Sequence, residues 1–228
     1  MPAQDDARER EMRQLFNLKI APERGRADVD AFLELDGKTI NFELKSSTGK
    51  SFSTVRDFGP DHVAKWRNSL HWIFAFYNKG GDQLLRCIYA SPADMEPWIA
   101  EKEAYVAPDF ALADTLPDFV SEVDLIEILG DKAVYSVADA KLVMKKQWKA
   151  ADYKDRQDVP HGFSKEAMVK LMRLRAAYVL RRGSTLNNPH IPGSYFKNFE
   201  AITDEHASKV RALVSDYLRA SATDSATA

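Results

Sequence analysis

Asp30 stands on one short alternating segment, Glu43 and Lys45 flank Leu44 on the next, and Asp36-Gly37 lies between the two. Residues i and i+2 of a strand point to the same face, so Glu43 and Lys45 would emerge side by side from one surface of a sheet. Asp36-Gly37 reads as a two-residue hairpin turn, because both central residues of a type I′ turn need positive φ. That turn fixes a register in which Leu35 faces Lys38, Leu33 faces Ile40, Ala31 faces Phe42 and Val29 faces Leu44. Between these pairs, Asp30 is set against Glu43 and Asp28 against Lys45. One face then carries Val29, Ala31, Leu33, Leu35, Ile40, Phe42 and Leu44, a core face. The other carries Asp28, Asp30, Phe32, Glu34, Thr39, Asn41, Glu43 and Lys45.

Two carboxylates opposed on neighbouring strands repel unless something positive lies between them. Mg²⁺ answers that need: it is a hard cation that takes one or two carboxylates plus water and phosphate oxygens. Lys45, further along the same face, would then hold or help to deprotonate a water for attack on phosphorus. The plainer alternative is a solvated sheet face, with Lys45 paired to Asp28 and with water separating Asp30 from Glu43.

At these residues the chain resembles the PD-(D/E)xK nuclease superfamily, and within it the type II restriction endonucleases. The family pattern is an acid on one strand, a turn, then Asp or Glu, any residue, and Lys; here it is met by Asp30 and by Glu43-Leu44-Lys45. The resemblance spans roughly residues 20 to 90. It implies that Asp30 and Glu43 bind Mg²⁺, that the Leu44 carbonyl joins them, and that Lys45 positions the attacking water. Val29 stands where the family name has Pro, and Asp28 is a rival for the first acid. Glu9, Glu11 and Glu23 are candidates for an auxiliary ligand or for ordinary surface.

A nuclease needs a surface for polyphosphate. From Lys141 to Lys197 there are thirteen Lys or Arg against four acids, a local +9 that leaves −11 for the rest of the chain. Neutralising phosphates with such a patch releases counterions. Lys170, Arg173 and Arg181 fall on one face of a helix expected over residues 165 to 182. In the following loop, Arg181 and Arg182 suit guanine, Asn187 and Asn188 suit adenine, and His190 suits phosphate or base contacts. A solvated basic helix and an ordinary irregular loop are the alternatives.

These residues have to be held by elements. The periodicities predict a helix over residues 7 to 18, with Asp6 and Glu9 forming a capping box, and then the hairpin from Val29 to Ser46. Next come a helix over 61 to 69, a strand at HWIFAFYN and a strand at LLRCIYA. Later helices are expected near 95 to 104, over 165 to 182 with a Ser164 cap and Gly183 stop, and over 204 to 219 before a frayed tail. Residues 133 to 148 are ambiguous between strand and helix. The expected class is α/β: a mixed central sheet flanked by helices, as in the restriction endonuclease core, with a mostly helical C-terminal part. Residues 1–130 read as the nuclease core and 131–228 as a basic DNA-contacting part of the same globular unit.

The 228 residues, 45% hydrophobic, suffice for one well-buried core. Cys87 is the single cysteine, which rules out an internal disulfide and suits a reducing cytoplasm, bacterial or archaeal by the resemblance. The five histidines show no HExxH or i, i+4 metal spacing and read as surface or structural residues. No signal peptide and no apolar run of membrane-spanning length is evident. No P-loop motif is present, so no nucleotide cofactor is expected. The implied activity is Mg²⁺-dependent, site-specific cleavage of double-stranded DNA to 5′-phosphate and 3′-hydroxyl ends. Cutting both strands of a palindrome is most simply done by a homodimer. The competing readings are a repair nickase or junction resolvase on the same scaffold, and a DNA-binding module without catalysis.

Overall fold

The computed structural model describes residues 2–20 and 29–227. It is a mixed α/β protein, as the sequence leads one to expect. Its strands are β1 (Ala31–Leu35), β2 (Lys38–Ser47), β3 (Ser51–Ser53), β4 (Leu70–Tyr77), β5 (Leu84–Ala90) and β6 (His190–Pro192). Its helices are α1 (Pro2–Phe16), α2 (Pro60–Ser69), α3 (Pro92–Thr115), α4 (Glu122–Leu129), α5 (Val137–Val143), α6 (Ala150–Asp155), α7 (Lys165–Arg181) and α8 (His206–Thr227).

The main sheet has the order β1-β2-β4-β5. β2 runs antiparallel to β1 and parallel to β4, and β5 returns antiparallel. The β1–β2 register follows from the turn, with Leu35 opposite Lys38, Leu33 opposite Ile40 and Ala31 opposite Phe42. Asp36 and Gly37 hold φ of 49° and 74°, the left-handed pair a type I′ turn requires. Because β2 and β4 are parallel, the chain between them needs a crossover connection, and α2 lies within it.

The chain divides into two compact units. The sheet unit comprises residues 1–56, 61–103 and 185–228; the helical unit comprises 57–60 and 104–184. Residues 104–130, assigned on sequence to the nuclease core, therefore belong with α4 to α7, and 185–228 belong with the sheet. α3 is continuous through both assignments.

Alternation makes the sheet unit's core. Ala31, Leu33, Ile40, Phe42 and Leu44 are buried with Ile73, Ala75 and Cys87, and Met12 and Phe16 of α1 and Val210 and Val214 of α8 close that face. On the opposite face Trp72 and Phe74 stack at 5.7 Å, and Trp66 of α2 and Trp98 of α3 contact Trp72 at 6.1 and 6.5 Å between centroids. In the helical unit, Leu125, Tyr135, Tyr153, Phe163 and Met168 form a separate core.

Several boundaries differ from the sequence reading. α1 begins at Pro2, ahead of the expected Asp6 cap. α3 runs on to Thr115 through Pro97 and Pro108, each of which forfeits one backbone bond of the helix. The ambiguous 133–148 stretch contains α5, capped by the Ser136–Asp139 box. α8 continues to Thr227 through the small polar tail expected to fray. The α7 ends stand as read: the Ser164 side chain accepts from Ala167 N–H, and Gly183 takes φ of 57°.

Candidate active site

The first acid is placed by the end of a ladder. Continued past Ala31–Phe42, β1 would pair Val29 with Leu44; instead Leu44 N–H donates to Asp30 Oδ2 at 2.9 Å, and Asp30 N–H donates to Phe42 O at 3.1 Å. The Asp30 side chain thus takes the position of a main-chain acceptor and turns inward along β2. A strand residue directs its N–H and C=O to the same edge, so the Leu44 carbonyl faces that edge too. Asp28 and Glu23 lie outside the described residues.

Glu43 and Lys45 share a face of β2, beside Trp72 and Phe74 of β4. They answer one another directly: Lys45 Nζ lies 2.7 Å from Glu43 Oε1, with the side chains only 20% and 12% exposed. Charges two residues apart, largely withdrawn from water, are held together by pairing.

The electrostatics tie four elements to one place. Burial, then the neighbouring Glu43 charge and more weakly Glu9, raise the Asp30 carboxyl to about 6, against relief from the Leu44 N–H and from Lys45. Burial alone would lower the Lys45 ammonium. Glu43, by charge and hydrogen bond, together with Asp30 and Glu9, outweighs it and raises the group above an ordinary lysine. Lys45 is therefore a fixed cation at neutral pH. His62, in the first turn of α2, has its pKa lowered by burial and by Lys65 and Lys45, with Glu43 opposing. Its ring meets Trp66 edge-on at 4.8 Å.

Glu9 and His62 thus join Asp30, Glu43 and Lys45. Glu9 was one of three auxiliary acids considered on sequence, whereas His62 read as surface or structural. The signal available for His62 was Pro60, which marks the start of α2 two residues before it. Glu11 is used otherwise: it accepts from the Tyr77 hydroxyl at 2.7 Å. Cys87 is no nucleophile; burial, then Glu11, push its thiol up to about 12.

Among the described residues no group of three His, Cys, Asp or Glu side chains gathers as a metal cage. A Mg²⁺ site asks for less, two carboxylates and further oxygens. The donors here are hard oxygens from Asp30, Glu43 and the Leu44 carbonyl, and Asp30 is raised first by burial and then by the Glu43 charge beside it. That donor set fits Mg²⁺.

The seven residues read as DNA contacts are largely engaged within their own units. In the helical unit, Lys170 pairs with Glu166 at 2.7 Å, Arg173 Nε donates to Val120 O at 3.0 Å, Arg181 pairs with Asp114, and Arg182 pairs with Asp57. Asp57 also accepts from the Ser184 hydroxyl at 2.7 Å. In the sheet unit, Asn188 Nδ2 donates to Ser53 Oγ at 3.1 Å, across the pairing of β3 with β6. Asn187 and His190 are exposed, and the carbonyl of His190 accepts from Trp98 Nε1 at 3.3 Å.

No helix among the described residues is long and apolar enough to cross a membrane. Comparison of the chain with known protein families and with curated proteins found no match.

Proposed function

We propose that the chain is a Mg²⁺-dependent, sequence-specific endonuclease of double-stranded DNA, of the type II restriction kind, that leaves 5′-phosphate and 3′-hydroxyl ends. One observation carries this reading: Asp30 is folded onto Leu44 N–H and so faces Glu43, while Lys45 is hydrogen-bonded to Glu43 beside it. Carboxylates crowded at this cost, next to a fixed ammonium, suit a cation and a phosphate better than they suit stability alone.

Asp30, Glu43 and the Leu44 carbonyl are the groups that would hold Mg²⁺, with Glu9 as an auxiliary acid. The ion, when bound, supplies positive charge to the phosphate and makes nearby water more acidic. Lys45, being cationic, orients the attacking water and offsets charge gathering on the phosphate oxygens, so the role of proton acceptor falls to another group. Glu43 keeps one oxygen on Lys45 and fixes its reach. The basic tract of residues 141 to 197 supplies phosphate affinity, and a homodimer supplies one site per strand of a palindrome.

The test is incubation with unmethylated phage DNA, with Mg²⁺ and with EDTA. Discrete fragments are expected with Mg²⁺ alone, and Glu43→Gln and Lys45→Ala should each lower cleavage by roughly a hundredfold or more. No cutting across several DNAs, or undiminished cutting by Glu43→Gln, overturns the proposal. Nicking confined to branched or mismatched DNA would replace it with a repair activity on the same site.

A further inference from the structure

The helical unit carries an unusual excess of exposed hydrocarbon. Of fifteen large hydrophobic residues exposed among the described residues, eleven lie in residues 104–184. Phe119 is 80% exposed and Val123 73%. Scattered exposed apolar residues are ordinary, but a cluster of this kind on a short segment marks a contact surface.

Beside that cluster runs an open groove of about 570 Å³ between α7 and the segment from the end of α3 through α4. Leu116, Ile128, Met172 and Val179 give it apolar walls, and Lys145 and Arg175 are its charged lining among the described residues. Arg175 Nη1 is buried and has no hydrogen-bond partner among the described residues. The guanidinium lies over the Tyr178 ring, 5.3 Å from its centroid, and that nitrogen has no acceptor among the described residues.

The acceptor is suggested by the charge of the same unit. Residues 104–131 hold seven acids and no Lys or Arg, whereas residues 132–184 hold thirteen Lys or Arg against five acids. Part of this division is satisfied internally, by Lys165 with Glu122 and Asp131 and by Arg181 with Asp114. Asp118, next to Phe119, is exposed and has no ion pair or hydrogen bond among the described residues. One surface therefore presents an aromatic ring beside a carboxylate, and also an apolar groove lined by the Lys145 and Arg175 cations. Such a surface is complementary to itself, which is the condition for an isologous contact.

We infer that this face docks a second copy of the chain, with the partner's Phe119 seated in the apolar groove and the partner's Asp118 meeting Arg175. The inference rests on the proposed reading for its two-fold symmetry, and on the groove and its charges for its location. An aromatic anchor in a pocket with a neighbouring charged pair has the makeup of an interface hot spot.

Sedimentation equilibrium without DNA tests it. The wild type is expected to dimerise. Phe119→Glu, Asp118→Arg and Arg175→Glu should each raise the dimer dissociation constant by about thirtyfold or more, the size of a hot-spot loss. The double variant Asp118→Arg/Arg175→Glu should recover much of it, because the pair is then reversed on both sides. Phe119 and Asp118 are exposed, so thermal melts of their variants should match the wild type. A wild type that stays monomeric, or a dimer indifferent to Phe119→Glu, overturns the inference. So does a monomer that binds dodecanoate in an Arg175-dependent way, since the groove is then a ligand pocket. A dimer that cuts no DNA sinks the nuclease reading and leaves this one standing; a monomer that cuts DNA does the reverse.

Discussion

At neutral pH the Asp30 carboxylate is ionised in a place that disfavours ionisation. Its pKa is raised by burial and by Glu43 to about 6 in the folded chain, against 3.8 when unfolded. The folded state therefore binds the proton more tightly, and stability falls as pH rises from about 4 through 6. Asp30→Asn removes that penalty. In EDTA at pH 7.5 the variant should gain roughly 1 to 2 kcal/mol in urea unfolding, less than the full shift implies because the group is partly solvated, and the gain should vanish near pH 4. Added Mg²⁺ should stabilise the wild type and not the variant. His71 bears the opposite sign. It is buried, its Nδ1 lies 2.7 Å from the Tyr89 hydroxyl, and burial lowers its pKa to about 4. The unfolded chain takes up that proton first, so stability is lost as pH falls from 6.5 toward 4, by up to about 3 kcal/mol relative to a His71→Gln variant. Urea midpoints of the two proteins across this range would show the difference. The types and spacing of Asp30, Glu43 and Lys45 are legible in the sequence because one local turn sets them. Glu9 and His62 are not, because separate helices bring them in.

At the scale of elements, the hairpin carries most of what local chemistry can specify. Asp36-Gly37 allows one tight turn, and the turn allows one register. A Cβ on Gly37 would touch nothing within 4 Å, so Gly37→Ala tests the left-handed backbone alone. It should cost about 1 to 2 kcal/mol in urea unfolding and leave the cleavage rate of the folded protein unchanged. Strands β3 and β6 escaped the sequence reading for a physical reason. Each is three residues long, too short for a periodic signal, and they pair across a long stretch of chain. The length of α3 was masked by its prolines, and that of α8 by a tail whose small polar residues have no strong helical preference of their own.

For the whole molecule, charge is more telling than its sum. The formal charge of −2 hides a tract of +9 between Lys141 and Lys197. Lys146 and Lys149 are exposed within it, and neither is in an ion pair among the described residues. If this tract follows DNA, binding by the cleavage-deficient Glu43→Gln should weaken steeply with salt. Replacing both lysines by Ala should flatten the log K against log salt slope by roughly 2, which filter binding over a salt series would measure. Residues 104–184 are the more apolar part of the chain, yet no punctuation in the sequence marks where that unit begins, because α3 runs across the boundary; the unit also leaves much of its apolar content exposed.

The sheet unit is built from three separated stretches of chain, and α8 completes it. Val210 and Val214 lie in the same core as Met12 and Phe16, His206 meets the Phe16 ring edge-on at 5.2 Å, and Ile202 pairs with Cys87. A ribosome that has made only the first two hundred residues therefore holds the acidic hairpin without the layer that seals its reverse side. Such a fold matures late, through contacts between distant parts of the chain. On the proposed reading, the acidic hairpin would gain a firm backing only once synthesis had reached α8, so an unfinished chain would be a poor threat to the chromosome of the cell making it.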